Sequence, residues 1–584
     1  MQKTEHDALL DTLLKNRGII TADERERFLN PDYERDTHDP FLLPDMAKAV
    51  ERILAGVAAG ERIVLYTDYD TDGTPAGVIM RDFFKKIGYT NFINYIPHRY
   101  YEGYGLNTEA IQKFKEDGAS LIITADCGIS DIAEVRAAEE AGIQVIVTDH
   151  HLPHAELPPA YAVINPKRAD NKYPFDGLCG AGVAFKLVQA LLRSPFGELR
   201  EGKRSSLREH YGIPLGWEKW LLDMAGIATV CDRVPLRGEN RVIARFGLMV
   251  LRKSPRAGIR EFCRVKRIPQ RFFTEDDIGF SLGPYINAAS RMDAPIKAFH
   301  FLGTNNDEEA RAVVAELGHL NDQRKGFVAA IIKEIKHRFT PEEAPAVLVA
   351  GNPAWHPGLL GLAANTLVEQ FARPVFLWGG GEAALLKGSC RSDGTVHIVE
   401  LMRRASAADG FGGAKHAGNI FADFGGHEFS GGFSITRGEV HNLPTALATA
   451  YGAIEKKEAA AAPAHDAVLA LDAVNADLYR ALAQLAPHGE GNPKPLFLIQ
   501  DAEVMEKILF GKTKNHLRLT LRGAGGTRVS AIQFFADRNP AAEKVMPGQT
   551  ISLLAHLEQS FFGNKAELRL RIVEISPQPF QVEV

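Results

Sequence analysis

Three short apolar runs in the first half of the chain each end on a cluster of acidic or imidazole side chains. Arg62-Ile-Val-Leu-Tyr66 leads into Thr67-Asp68-Tyr69-Asp70-Thr71-Asp72-Gly73, and Leu121-Ile-Ile-Thr124 leads into Asp126-Cys127-Gly128. Val145-Ile-Val147 leads into Asp149-His150-His151, and a fourth acid, Asp232, follows the apolar stretch Ile227-Ala-Thr-Val230. Continuous apolar runs of this length read as strands buried on both faces. Amphipathic helix patterns lie between them, over Thr108–Asp117 and Ser130–Ala141. From about 61 to 240, strand and helix therefore alternate, which predicts a mostly parallel sheet covered on both faces. Ligands of such sheets bind in the crevice beyond the carboxyl ends of the strands, which is where these clusters are expected.

Taken singly, each cluster has an ordinary reading. Asp-x-Asp-Gly is a turn, Asp126 a solvated loop acid, and His150-His151 a hydrogen-bonded loop pair. Their joint occurrence at four expected strand ends, Asp232 among them, makes a two-metal site the stronger reading. Asp68, Asp70 and Asp72 are spaced by two, so at least two of the carboxylates converge just past a strand end. Hard oxygen ligands suit Mg²⁺ or Mn²⁺, and an added imidazole favours Mn²⁺. The run from Asp68 to Gly73 also opens like an EF-hand calcium loop. That loop needs a glutamate at its twelfth position, which here is Ile79, so this reading fails. Two divalent cations roughly 3.5–4 Å apart serve to lower the pKa of a bridging water and direct it at phosphorus. No Ser or Cys nucleophile is required.

A chain of 584 residues divides into several domains. Its net charge of −5 confines any nucleic-acid site to a local basic patch. Cys127, Cys179, Cys231, Cys263 and Cys390 form no CxxC pair, which fits a reducing compartment rather than a disulfide framework or zinc knuckle. Cys127 and Cys231, beside the acids, read as packing residues. The polar start Met1-Gln-Lys-Thr-Glu-His-Asp7 has no signal-like apolar region, and no apolar run is long enough for a membrane span. A cytoplasmic protein with no membrane partner is expected. The stretch Arg252–Arg271 carries eight Lys or Arg and reads either as a phosphate track or as a solvated helix face. Beyond the low-complexity connector Glu455–Pro463, strands over Leu517–Leu521, Val529–Phe535, Thr550–Leu554 and Glu567–Ile572 alternate apolar with polar residues. That is the pattern of a small barrel suited to single-stranded nucleic acid. Lys512, Lys514, Arg518 and Arg522 are its candidate phosphate contacts. Phe534, Phe535 and Phe562 read either as base-stacking residues or as barrel core.

In their order along the chain these motifs resemble the DHH phosphoesterase superfamily, most closely its single-strand-specific 5′→3′ DNA exonucleases. Asp68-Tyr-Asp-Thr-Asp-Gly73, Asp126-Cys-Gly128, Asp149-His-His151 and Asp232-Arg-Val-Pro-Leu236 resemble its first four motifs. Gly283-Pro-Tyr-Ile-Asn-Ala-Ala-Ser-Arg-Met292 resembles its next signature. Lys387-Gly-Ser-Cys-Arg-Ser392 and Gly425-Gly-His-Glu-Phe-Ser-Gly-Gly-Phe433 resemble the DHHA1 lobe. The lead-in Asp39–Val50 and the segment Gly491-Asn-Pro-Lys-Pro-Leu-Phe497 resemble flanks found in the exonuclease branch.

The resemblance implies an α/β protein of two lobes, DHH and DHHA1, joined by a long helix and followed by a C-terminal β-barrel of the OB-fold. The implied layout is a helical lead-in over 1–60, DHH over 61–300, connecting helices over 301–340, DHHA1 over 341–455 and OB over 465–584. It implies metal ligation by Asp68, Asp70, Asp72, Asp126, His150 and Asp232, with Asp126 as the bridge. Asp72 is left open between direct ligation and support from behind. Asp149 is implied to orient a histidine and His151 to contact phosphate. Arg291, Ser389, Arg391 and His427 are implied to hold the substrate strand, which would lie clamped between the two lobes. Tyr285, Ser290, Thr71 and Pro75 depart from the family's usual residues, and none of these removes a ligand.

The implied activity is a Mn²⁺- or Mg²⁺-dependent exonuclease that degrades single-stranded DNA from its 5′ end to mononucleotides, in recombination and repair. A helicase and a single-strand-binding protein are its expected partners. Two alternatives stand beside it. One is another DHH phosphodiesterase, such as an oligoribonuclease, a cyclic-dinucleotide hydrolase or a pyrophosphatase, usually built without the OB-like tail. The other is a non-catalytic single-strand-binding replication scaffold, a class that tends to lose the acids this chain keeps.

Overall fold

The computed structural model describes residues 5–200, 203–381, 384–407, 420–457, 465–511, 513–560 and 566–576. Lys512, Phe562 and most of the connector Glu455–Pro463 lie outside these residues. The chain forms two compact units. One comprises Met1–Gly283, Phe299–Ala310 and Pro463–Val584, and the other Pro284–Ala298 and Arg311–Ala462.

The first unit is built on a parallel five-stranded sheet in the order β2-β1-β3-β4-β5. Its strands are β1 Arg62–Thr67, β2 Phe92–Tyr95, β3 Ala119–Ala125, β4 Gln144–Thr148 and β5 Ala162–Ile164. The central register sets Val64 beside Ile93 on one side and Ile122 on the other, with Ile123 beside Ile146. Helices Gly73–Lys86, Thr108–Glu116 and Ile132–Glu140 return the chain between strands.

Alternation stops earlier than its expected limit near residue 240. Between Ile164 and Gly283 the chain is mainly helical, with helices Gly180–Arg193, Leu222–Cys231 and Gly238–Leu251, and its strands are the short antiparallel pair Pro195–Arg200 and Lys203–Ser206. Ile227–Val230 is therefore helical, and Asp232 follows a helix end rather than a strand end. The reason lies in the length of the apolar stretch. Every residue from Leu221 to Thr229 is buried, a run longer than a typical strand. Glycines let this helix meet its neighbour closely, for a Cβ on Gly226 would stand 2.8 Å from Gly247 Cα.

The C-terminal strands Phe497–Phe510, His516–Arg522, Arg528–Gln533, Thr550–Ser560 and Glu567–Ser576 close into a barrel, because the first pairs with both the second and the fourth. Leu517, Leu519 and Leu521 point into its core with period two. The 14-residue strand Phe497–Phe510 escapes pattern reading because its alternation is broken. Its register shifts between Ile499 and Ala502 and again between Val504 and Glu506. The barrel core also contains Leu13, Leu14, Ile19 and Phe28, from the N-terminal helices Glu5–Asn16 and Ala22–Leu29 and the turn between them. Phe534 and Phe535 are 40% and 50% exposed, so neither is barrel core.

Much of the basic stretch Arg252–Arg271 ties neighbouring segments together. Arg252 donates to the Phe273 carbonyl (2.9 Å), and Arg256 donates to Asp223 (2.7 Å) and Asp82 (2.8 Å). Arg260 pairs with Asp307 and Arg264 with Glu261.

In the second unit a five-stranded sheet runs Asp423–Gly426, Ser430–Thr436, Leu385–Arg391, Val375–Gly379 and Leu348–Gly351. Only the last pair is parallel. Helices Pro357–Phe371, Ile398–Ala407 and Leu443–Ala453 accompany it. Asp307–Arg338 is one uninterrupted helix of 32 residues.

Candidate metal centre

Backbone pairing continues one residue past each central strand and sets the acids in a row. Asp68 N–H donates to Ala125 O (3.2 Å), Asp126 N–H to Thr148 O (3.0 Å), and Asp149 N–H to Ile164 O (3.1 Å). Two close approaches make the row possible. A Cβ on Gly73 would stand 2.5 Å from Asp68 O, and one on Gly180 would stand 2.5 Å from Asp126. Asp126 itself holds φ at +66°, a strained value for a residue with a side chain.

The carboxylates around this row do different things. Asp70 caps its own turn, accepting from Asp72 N–H (2.7 Å) and Gly73 N–H (3.0 Å). Asp72 is fully buried and accepts from Gly180 N–H (2.6 Å) and Ala181 N–H (2.7 Å), at the positive end of helix Gly180–Arg193. Asp149 spends both oxygens on orientation. One accepts from His150 N–H (2.7 Å), His151 N–H (3.1 Å) and lies 2.8 Å from His151 Nδ1, and the other accepts from Ile129 N–H (3.0 Å).

His150 Nε2 lies 3.2 Å from Asp126 Oδ1, 3.6 Å from Asp72 Oδ2 and 3.7 Å from Asp232 Oδ2. Ligand atoms gather within 4.8 Å of one another in three overlapping groups: Asp68-Asp70-Asp126, Asp72-His150-Asp232 and Asp126-His150-His151. Asp126 and His150 each belong to two of them.

The electrostatics of the carboxylates follows from their burial and crowding. Burial, followed by repulsion from Asp72, Asp70 and Asp68, pushes the Asp126 carboxyl well above the usual carboxylate range. Burial and Asp70 do the same to Asp68. Burial, then Asp72 and Asp70, raise Asp232 to about 9. Asp72 rises only to about 6, since the Gly180 and Ala181 amides offset its burial. Burial pushes His150 down to about 3, so its imidazole is neutral and free to ligate. Asp149 is the exception. Burial pushes it up, but its bonds to His151 outweigh that and hold it low. Asp68 Oδ1, Asp126 Oδ1 and His150 Nε2 are buried without a hydrogen-bond partner among the described residues. Unpartnered carboxylate oxygens facing a neutral imidazole are a fit for divalent cations.

Three residues near the centre were not singled out by sequence reasoning. Tyr104 places its hydroxyl 3.1 Å from His151 Nδ1 and 3.3 Å from Asp126 O. Arg99 lies over the Tyr69 ring (4.7 Å) and acts to lower Asp68. Lys167 acts the same way on Asp232. The only sequence signal for the first is the glycine pair around Tyr104, at Gly103 and Gly105.

Arg291, Ser389, Arg391 and His427 belong to the second unit. Three of them gather at the start of helix Pro357–Phe371. Arg291 donates to Gly358 O (2.7 Å), and a Cβ on Gly361 would stand 3.0 Å from both Arg391 Nη2 and Ser389 Oγ. Arg391 Nη1 lies 3.2 Å from Ser389 Oγ. His427 occupies an exposed hairpin turn closed by its N–H to Ser430 O (2.8 Å), and Ser430 pairs with Arg391 across the sheet. Tyr285 is buried in the same unit.

Three family models match the chain: DHH family, N-terminal domain, over residues 62–211; DHHA1 domain over 344–456; and RecJ OB domain over 465–574. The chain is 32% identical to the single-stranded-DNA-specific exonuclease RecJ of Bacillus subtilis, over 98% of its own length and 68% of that protein's. It is 30% identical to the RecJ of Dickeya dadantii, over 98% and 96%. Among solved structures, RecJ of Thermus thermophilus in complex with Mn²⁺ superposes with a TM-score of 0.76 at 26% identity, covering 98% of this chain and 76% of that one. An exonuclease RecJ bound to manganese gives 0.58 at 30% identity, covering 70% and 95%.

Proposed function

The chain belongs to the RecJ family of single-stranded-DNA-specific exonucleases, and from that premise we propose that it removes nucleotides one at a time from the 5′ end of single-stranded DNA. The reaction is metal-dependent hydrolysis of a phosphodiester. The observation that carries this reading is the 3.2 Å approach of His150 Nε2 to Asp126 Oδ1, both buried and both without a hydrogen-bond partner among the described residues.

Asp68, Asp70 and Asp126 would hold one divalent cation, and Asp72, His150 and Asp232 the other, with Asp126 also 3.2 Å from His150 of the second set. Mn²⁺ or Mg²⁺ bound there supplies a water of lowered pKa and charge neutralisation at phosphorus. The remaining work belongs to side chains. Asp149 fixes the tautomer and direction of His151, so that Nε2 points away from the carboxylate. His151 is 45% exposed at its side chain, and burial is outweighed by Asp149, so it holds a proton more firmly than a free histidine. A protonated His151 facing the site is suited to a phosphate oxygen. Tyr104 adds a hydroxyl beside it. Arg291, Arg391 and Ser389 supply donors for the strand's phosphates in the second unit, and Arg suits this through its planar fork. His427 is assigned to the same strand.

Lys514, Arg518, Phe534 and Phe535 of the barrel extend the contact surface along unpaired nucleotides. Polarity follows from the family resemblance. A helicase would supply unpaired DNA and a single-strand-binding protein would hold it. No helix among the described residues is long and apolar enough to cross a membrane. The proposed substrate, single-stranded DNA, is the ground for proposing a cytoplasmic location.

The test is digestion of single-stranded DNA labelled at either end, with Mn²⁺, by wild type and Asp126→Ala. Immediate release of a 5′-labelled mononucleotide, absent in the variant, is expected. Early loss of the 3′ label would reverse the polarity. Binding without cleavage by wild type would leave only a scaffold.

A further inference from the structure

Tyr104 reaches the metal centre from the loop between β2 and helix Thr108–Glu116, a loop held on its far side by Asp131, which accepts from Leu106 N–H (2.7 Å), and on its near side by Glu102. Glu102 accepts from His98 N–H (2.5 Å), from the Tyr95 hydroxyl and from Asn107 Nδ2 (3.1 Å). Its own N–H donates to His98 O (2.9 Å). The carboxylate therefore gathers the end of β2, the start of the loop and the cap of the following helix around one point. Asn107 Nδ2 also lies 3.2 Å from the Tyr66 hydroxyl, which donates to Gly105 O (2.7 Å). This connects the clamp to β1, the strand that ends on Asp68.

Tyr104 stands between Gly103 and Gly105, both at φ +85°, a backbone with little conformational preference of its own. Its hydroxyl lies by His151 Nδ1 and Asp126 O and its ring meets the His151 ring edge-on (centroids 5.7 Å apart), while the residue as a whole is 47% exposed. Without outside restraint, two glycines would let that tip wander. Glu102 is not in any of the ligand groups. A carboxylate taking three donors restrains the loop on the side where Tyr104 leaves it.

We propose that Glu102 is a positioning residue of the hydrolytic centre, holding the Tyr104 hydroxyl on His151 and Asp126 without touching substrate or cation. The inference rests on the reading of Tyr104 as part of the site. It is tested by a double-mutant cycle on a single-stranded oligonucleotide with Mn²⁺. Glu102→Ala and Tyr104→Phe are each expected to lower kcat by roughly 10- to 100-fold. The double variant should be no slower than the worse single one, because the effect of Glu102 passes through Tyr104. Glu102→Gln keeps an acceptor and should recover most of the rate, with the Mn²⁺-induced rise in Tm unchanged throughout. Should Glu102→Ala fail to fold, Tyr95→Phe removes one donor to the clamp and should show the same coupling to Tyr104→Phe in milder form. Unchanged kcat in the clamp variants, or losses that multiply with that of Tyr104→Phe, would overturn the proposal. A silent Tyr104→Phe would instead remove Tyr104 from the reaction, and the clamp with it.

Discussion

His150 Nε2 and Asp126 Oδ1 face each other at 3.2 Å in a buried position, and neither makes a hydrogen bond among the described residues. Burial keeps the imidazole neutral and disfavours charge on the carboxylate. A cation relieves both at once, since it accepts the lone pair of one and the charge of the other. Asp126→Asn keeps the size of the side chain and removes its charge. It is expected to lower kcat by at least about a thousandfold, on the scale of removing a central catalytic group. It should also weaken the rise in Tm that Mn²⁺ produces in wild type. Kinetics and thermal melting on one preparation check both; a full Mn²⁺ response in the variant would remove Asp126 from the ligand set.

The raised acids set the direction of a pH effect. Asp72 stands at about 6 and Asp232 at about 9, against roughly 3.9 for an unfolded aspartate. In the metal-free protein the folded state therefore binds more protons than the unfolded state between about pH 4 and 9. The contribution of these two groups to stability is fullest below the unfolded value and is lost as pH rises through the raised values. Divalent cations replace those protons, so the gain in Tm on adding Mn²⁺ should be larger at pH 8.5 than at pH 6, with protons released on binding. Melting curves in EDTA and in Mn²⁺ across that range test this. A gain that shrinks with pH would contradict it.

How far the sequence carries can be seen in particular residues. Asp68, Asp126 and Asp149 were legible because a continuous apolar run ending in an acid means the same thing locally and in the fold: a buried strand opening on a crevice. Leu517, Leu519 and Leu521 were legible through period two. Asp232 was placed at the right position but on the wrong element, since four apolar residues do not separate strand from helix when the buried stretch extends to nine. Tyr104 and Arg99 were not legible, because the hydrogen bonds of Glu102 and Asn107, not a propensity, shape their loop. Nor was the sharing of one core by Phe28 and Leu519, which are distant in sequence and joined only by tertiary packing.

The second unit offers a contrast to the metal centre. Arg391 is buried enough to lower its pKa, and its fork lies beside Ser389 at the start of a helix. If it holds a phosphate of the strand, Arg391→Lys loses the paired donors while keeping the charge. We expect KM for single-stranded DNA to rise about tenfold or more, the worth of a charge-assisted hydrogen bond of about 1.5–3 kcal/mol. The Mn²⁺-induced change in Tm should not move. Steady-state kinetics beside melting curves separate this from a ligand defect, and an altered metal response with unchanged KM would contradict the assignment.

The barrel is fastened to the rest of the first unit by a buried guanidinium. Arg241 donates to the carbonyls of Phe28 (2.6 Å), Leu485 (3.0 Å), Gln484 (3.1 Å) and Ala486 (3.2 Å), and lies 3.6 Å over the Phe28 ring. Arg17 does similar work beside it, donating to Asn492 Oδ1 (2.9 Å) and Pro493 O (2.6 Å). Among the described residues no acid pairs with Arg241, and burial pulls the group down to about 9. Arg241→Met preserves bulk but leaves buried carbonyls unpaired, at about 1–3 kcal/mol for each one water cannot reach. Thermal melting should fall by several degrees. Removing residues 1–29 strips Leu13, Leu14, Ile19 and Phe28 from the barrel core and should cost more. Because the metal ligands lie elsewhere, both variants should keep Mn²⁺-dependent cleavage of short oligonucleotides below their melting points, while losing affinity for long strands. Limited proteolysis should then cut first within 465–576. If the truncated protein melts like wild type, the N-terminal helices are not part of the barrel's core in solution.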